Sequence, residues 1–193
     1  MNNSNNSLPE KILLGLSGLM AGGKDTVAEH LVEAYSFTHI STGDLLRAHV
    51  RKLTGQDPDR DMLRRYGAEL RAKQGADYLV RQALEGNTGR LVVSGLRAVN
   101  EARAIKESGG LIVICTAPAE LRYKRARGRG RLGDEVTFEQ FLAQEQAEMT
   151  NPDPNGQNIS EIIKMADHQL DNSGQPEELL TTVDDLIRKL QVH

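Results

Sequence analysis

Cysteine is nearly missing from this chain. With Cys115 alone, neither an internal disulfide nor a multi-cysteine zinc site can form, which points to a reducing compartment. Cys115 lies in the apolar run that starts at Leu111 and reads as a buried core thiol. Long hydrophobic runs are missing as well, none approaching the ~18 residues that cross a bilayer. Met1 to Ser7 is Asn/Ser-rich and lacks the apolar centre of a signal peptide, so residues 1–10 are expected to be a disordered tail. No membrane partner is expected, and the expected location is cytoplasmic. Charge of one sign is lacking too: 24 Lys and Arg against 27 Asp and Glu leave a formal −3. Without an overall basic field, no nucleic-acid partner is expected. Internal repeats and long linkers are also absent, so residues 11–193 are expected to form a single domain, which 38% hydrophobic residues can fill.

What is there is an alternation. Ile12–Leu16, Phe37–Ile40, Leu91–Val93, Leu111–Cys115 and, more weakly, His168–Leu170 read as short strands. Helical patterns follow: Val27, Leu31 and Ala34 share a face, and Ala98–Lys106 is closed by Gly109-Gly110. Leu179, Val183, Leu186 and Leu190 recur at helical spacing. The expected fold is α/β, a five-stranded parallel sheet with helices on both faces. Residues 42–87 (several helices without a strand) and 120–158 (arginine-rich, then helical, then loop-like) break the alternation. Both read as insertions above the carboxyl edge of the sheet, where open α/β folds bind ligands.

Gly18-Leu-Met-Ala-Gly22-Gly23-Lys24-Asp25-Thr26 has the spacing of a phosphate-binding loop, with a strand before it and a helix after. Glycines let successive N–H groups turn toward phosphate oxygens, and the helix adds the positive end of its dipole. Lys24 would bridge the β- and γ-phosphates during transfer. Asp25 stands where Ser or Thr is usual and reads either as a Mg²⁺ contact or as a helix cap pointing away, while Thr26 is the better candidate for a phosphate or Mg²⁺ contact beside a bound ATP.

From here the chain resembles the nucleoside monophosphate kinases, the adenylate kinase group above all, whose loop likewise ends Gly-Lys-x-Thr. His39-Ile-Ser-Thr42-Gly43-Asp44-Leu-Leu-Arg47 is similar to that group's entry into the acceptor-binding helices. The resemblance implies that Thr42, Gly43 and Arg47 bind the acceptor, Arg47 offering a fork to its phosphate. Ser94-Gly-Leu-Arg97 stands where the group has Asp-Gly-Phe-Pro-Arg. Arg97 is then a second, catalytic fork on the acceptor phosphate, while Ser94 replaces the carboxylate that organises magnesium-bound water. Pro118–Arg129 looks like the segment leading into the group's mobile lid, short here and without zinc cysteines. By that resemblance Arg125 stacks on the donor base, and Arg129 reaches its phosphates as a catalytic residue. Arg122, Lys124, Arg127 and Arg131 read as a solvated face.

Ala166–Gly174 and the residues after it resemble the ending of dephospho-CoA kinases and of archaeal adenylate-kinase-like proteins. Backbone groups of Ser173, Gly174 and Gln175 are then expected to read adenine. Together these resemblances imply the P-loop kinase fold, with residues 42–87 as an acceptor-binding insertion and 120–158 as the lid region. The leading expectation is ATP-dependent transfer of the γ-phosphate to a nucleoside or deoxynucleoside monophosphate. The alternatives are a dephospho-CoA kinase, or a nucleotide-binding regulator or slow ATPase, which Asp25 and Ser94 keep open. Elsewhere, the histidines show no ligand spacing, Asp57–Asp61 reads as a turn and helix cap, and Thr137–Gln140 as a capping box. Among Arg64, Arg65, Arg71 and Arg81 in the acceptor insertion, nothing in the sequence singles out a substrate contact.

Overall fold

The structure, a computed structural model, describes residues 8–130, 135–151 and 156–191. The expectations for the Met1–Ser7 tail, for Arg131, for Pro152–Asn155 of the loop and for His193 lie outside them. The five apolar runs become β1 (Ile12–Ser17), β2 (Thr38–Ser41), β3 (Arg90–Ser94), β4 (Leu111–Thr116) and β5 (His168–Asp171). All pair in parallel in the order β2-β3-β1-β4-β5, so β1 is central.

Alternation along the strands divides the core in two. Ile12, Leu14, Leu16, Val92, Val113, Cys115 and Leu170 face one layer. There they meet Val27, Ala28 and Leu31 of α1 (Lys24–Tyr35), and Leu179, Val183, Leu186 and Ile187 of α9 (Pro176–Leu190). Leu13, Leu91, Val93, Ile112 and Ile114 face the other, against Ala102 and Ile105 of α5 (Val99–Glu107) and Ile162 of α8 (Ile159–Lys164). Both faces of the sheet are therefore apolar and covered, which is why the strands read as continuous hydrophobic runs. The short α8 has no counterpart in the sequence reading, because six residues are too few to display a period.

The two segments that interrupt the alternation carry small cores of their own. Between β2 and β3 lie α2 (Thr42–Thr54), α3 (Arg60–Gln74) and α4 (Tyr78–Leu84). They close around Leu46, Val50, Leu70 and Leu79. Asp59 caps α3 by accepting the Met62 N–H at 2.8 Å, as the Asp57–Asp61 run suggests. After β4 come α6 (Ala119–Arg129) and α7 (Phe138–Met149), the latter opened by the capping box of Thr137 and Gln140. Tyr123, Phe138 and Phe141 pack ring to ring between them, and Met20 of the glycine loop joins the same cluster.

Arg122 departs from the solvated-face expectation. It is buried, paired with the buried Glu145, and donates from Nε to the Ala117 carbonyl at 2.7 Å. Sequence spacing could not show this, because the partner comes from another helix. Breaking a buried pair strands one charge in an apolar setting, a cost of about 3–5 kcal/mol. Glu145→Ala should therefore lower unfolding stability by that much in denaturant titration. Arg122→Met with Glu145→Met should recover most of the loss.

Candidate active site

The carboxyl ends of β1, β2 and β3 open into a cleft of about 1210 Å³, roofed by α2, α3 and α7. The loop after β1 lies against the end of β4. Gly18 has φ 129, and a Cβ there would run into the Cys115 carbonyl, so only glycine fits. Gly23, at φ 103, begins α1, and a Cβ on it would meet the Asn172 side chain. Between these two the side chain of Lys24 folds back over the loop. Lys24 is 8% exposed, and its ammonium donates to Gly18 O at 3.0 Å and Leu19 O at 2.7 Å. Burial, helped by the positive charge of Arg97, pulls the Lys24 pKa down to about 8. Asp25 and Thr26 are exposed and line the cleft at the first turn of α1. Cys115 is buried beneath the loop, and burial lifts its thiol to about 12.

Across the cleft the acceptor-side expectations divide. Arg47 lines the wall, pairs with Asp44 at 3.1 Å and stands over Gly43. Thr42 is buried, and its hydroxyl donates to the carbonyls of Ser94 at 3.1 Å and Gly95 at 2.8 Å. Its proton thus ties α2 to the end of β3, while Ser41 caps the helix by accepting the Asp44 N–H. Ser94 is buried with its Oγ 2.7 Å from His39 Nε2, joining the tips of β2 and β3.

Arg97 reaches into the cleft and pairs with Glu148 of α7, their side chains 23% and 14% exposed. The turn carrying Arg97 is held by Glu101, fully buried, which accepts the N–H groups of Arg97 at 2.6 Å and Ala98 at 3.0 Å. Burial raises the Glu101 pKa against the opposing positive charge of Arg71. Of the four arginines the sequence left undecided, Arg71 is buried in the cleft wall and Arg64 lines it paired with Asp61. Arg65 lies over the Tyr66 ring, and Arg81 pairs with Asp77 outside the cleft.

On the α6 side, Arg125 and Arg129 both line the cleft. Arg125 donates to Asn172 O at 2.9 Å and Asn172 Oδ1 at 3.3 Å, and Asn172 in turn donates to Gly22 O at 3.2 Å. The residue after β5 that meets the glycine loop is therefore Asn172. Ser173, Gly174 and Gln175 are exposed and do not line the cleft. Ser173 turns its N–H and hydroxyl onto Asp171, at 3.0 and 2.9 Å, because an aspartate two residues back forms a local turn. Sequence reasoning missed Glu148, Gln157, Asn172 and Glu101. Gln157 lines the cleft with its Oε1 buried and without a hydrogen-bond partner among the described residues.

The donor set fits a nucleoside triphosphate. A buried ammonium beside an arginine, on a loop whose glycines bring the backbone close, is a cation site that phosphate oxygens would relieve. It also fits Mg²⁺, which takes one or two protein oxygens and draws the rest from phosphates and water. Asp25 and Thr26 would hold it, the negative Asp25 standing near enough to raise the Lys24 pKa. Among the described residues no group of three His, Cys, Asp or Glu could hold a metal without such help. No helix among them is long and apolar enough to cross a membrane.

A family model described as an AAA domain matches residues 17–142, which takes in the glycine loop, the acceptor-side helices and α6 but stops short of Glu148 and Asn172. A UPF0200 protein of Pyrobaculum aerophilum is 30% identical over 141 residues, covering 71% of this chain and 77% of its own. Another, from Thermococcus gammatolerans, is 28% identical over 185 residues, covering 91% and 93%. Among solved structures, TT1252 from Thermus thermophilus superposes with TM-score 0.62 at 22% identity over 94% of this chain and 99% of that one. Shikimate kinase from Acinetobacter baumannii, in complex with shikimate, gives 0.58 at 19% identity over 98% of both chains. These likenesses show a P-loop kinase-like fold.

The depressed Lys24 pKa predicts a proton linkage. Below pH 8 the ammonium is charged in the free protein, so phosphate binding takes up no proton there. Above pH 8 the free side chain is increasingly neutral while bound phosphate favours its charged form, so ATP binding should take up close to one proton and weaken as pH rises. Calorimetry at pH 9 in buffers of different ionisation enthalpy should show the uptake, and Lys24→Met should abolish it.

Proposed function

The chain belongs to the AAA-domain family and to the UPF0200 family, and on that footing we propose that it is an ATP-dependent phosphotransferase. Its acceptor is a small, anionic, nucleotide-like molecule. The observation that carries this reading is the buried Lys24 ammonium on the glycine loop, facing a cleft whose far wall bears Arg47, Arg71 and Arg97. One side suits a triphosphate, the other suits a second anion, and both open into the same space.

In this reading Lys24 and the loop amides bear the charge that grows as the γ-phosphate leaves. Asp25 and Thr26 hold Mg²⁺, which neutralises the phosphates. Arg125, fixed by Asn172, borders the nucleoside end, and Arg129 joins the phosphate side. The α6–α7 segment serves as a lid that keeps water from the reaction. Arg47 orients the acceptor. Resemblance to the nucleoside monophosphate kinases favours a nucleoside or deoxynucleoside monophosphate. A second reading, a hydroxyl acceptor as in a dephospho-CoA kinase, is favoured by Glu148, whose carboxylate already occupies Arg97.

Lys24→Ala should leave the fold intact by circular dichroism and reduce ADP formation to background. ADP release should be measured against a panel of nucleoside monophosphates and dephospho-CoA. Near-normal turnover by the folded variant would remove the phosphate-loop assignment. Arg47→Ala should raise the acceptor KM at least about tenfold, the loss of a charge-assisted contact of ~1.5 kcal/mol. ATP affinity should stay within about twofold. A collapse of ATP affinity with unchanged acceptor kinetics would mean that the two sides of the cleft have been exchanged.

A further inference from the structure

Two oxygens in the cleft have no place in a reaction between two phosphates. Glu148 presents its carboxylate beside Arg97, and Gln157 presents a buried Oε1 with no hydrogen-bond partner among the described residues. The two share a wall, since the Asn158 N–H, one residue after Gln157, donates to the Arg97 carbonyl at 2.8 Å. Both are hydrogen-bond acceptors, and a carboxylate is an acceptor only. A phosphate arriving at Arg97 is ionised, brings no proton to either oxygen, and is repelled by Glu148. A hydroxyl brings the donor that Gln157 Oε1 lacks, and one that the Glu148 carboxylate can still accept beside its bond from Arg97.

Holding α7 in position does not explain Glu148. That helix is already anchored by the buried Arg122–Glu145 pair and by Phe141 in its aromatic cluster. Gln144, one turn before Glu148, accepts from Arg60 of α3 at 2.8 Å and faces the same cleft. The remaining carboxylates of the cleft are occupied or peripheral. Glu101 is covered by backbone amides, while Asp44, Asp57 and Asp61 have side chains at least 70% exposed and sit against arginines of the acceptor insertion. Asp25 and Glu29 are exposed at the mouth, on α1. Glu148 is the mostly buried carboxylate that lines the cleft beside Arg97 and is near enough to act on the loop lysine.

We propose that Glu148 is the proton acceptor for an acceptor that reacts through a hydroxyl group, while its anionic part is held at a distance by Arg47 and the arginines of α2 and α3. This rests on the phosphotransferase reading and narrows its substrate class to a phosphate-bearing alcohol. The acceptor oxygen forms its bond to the γ-phosphorus as the bond from that phosphorus to the β,γ-bridging oxygen breaks, the electron pair leaving with ADP. The hydroxyl proton passes to a Glu148 oxygen and is later released to water. Arg97 keeps the carboxylate aimed, and Gln157 accepts a second donor of the acceptor.

Water is also a hydroxyl acceptor, so the test does not wait for the physiological one. ADP release by the full-length protein is measured with Mg²⁺ and ATP alone, then with AMP and with dephospho-CoA as probes. Glu148→Gln should cut the basal rate and any acceptor-stimulated rate by 10²-fold or more, the usual size of general-base loss. ATP affinity should be unchanged, and Glu148→Asp should recover part of the rate. Label from [γ-³²P]ATP should appear in an acid-stable ester. If Glu148→Gln turns over as fast as wild type, or faster, Glu148 is only a clamp on Arg97 and the inference fails while the phosphotransferase reading stands. An acid-labile anhydride formed on AMP by the wild-type protein overturns it in the same way, and that result needs no variant to fold. Failure of the wild-type protein to bind ATP removes both.

Discussion

A buried ammonium group organises this molecule. Lys24 is buried against two carbonyls of its own loop, with a second cation, Arg97, near enough to depress its pKa. Bringing like charges together in a poorly solvated place is unfavourable, and it persists because the surrounding fold permits no escape. The loop cannot move down, since the Cys115 carbonyl lies against Gly18 and Gly22. Nor can it move sideways, since the Asn172 side chain is bonded to Gly22. The sheet, the glycines and the residue after β5 together hold a positive charge ready for an anion.

The rest of the cleft reads as a response to that charge. Asp25 and Glu148 both act to raise the Lys24 pKa. Glu148 at the same time neutralises Arg97, and Glu101 holds the backbone of the Arg97 turn while answering Arg71. Cations and anions thus alternate across the floor of the site, which keeps its net charge modest while leaving several charged groups close to any bound molecule.

What the sequence disclosed and what it withheld follow one rule. Contacts between neighbours in the chain leave a local pattern. The five strands, the glycine loop, the Asp59 cap and the Thr137 box were all legible, to within one or two residues at their ends. Contacts between distant segments leave none. Arg122 and Glu145, Arg97 and Glu148, and Arg125 and Asn172 are separated by tens of residues, and nothing in one member of a pair marks the other. The same limit applies to the stretch after β5. The resemblance drew attention there to Ser173–Gln175, while the contact of Asn172 with the glycine loop, beside the local turn of Ser173 onto Asp171, left no pattern to read. For Thr42 the resemblance suggested an acceptor contact, whereas its bond to the end of β3 left no local trace.

Met20 sits in the glycine loop and borders the cleft, yet is packed with Phe141, Ala126 and Tyr123. The phosphate-binding backbone and the α6–α7 pair therefore share one small hydrophobic cluster. Apolar side chains outside the cleft thus help to hold the loop that lines it. Drift at Phe141 or Tyr123 would retune how tightly the loop is set without altering a single charged residue. The setting of the loop depends on hydrocarbon contacts as well as on the polar groups of the cleft.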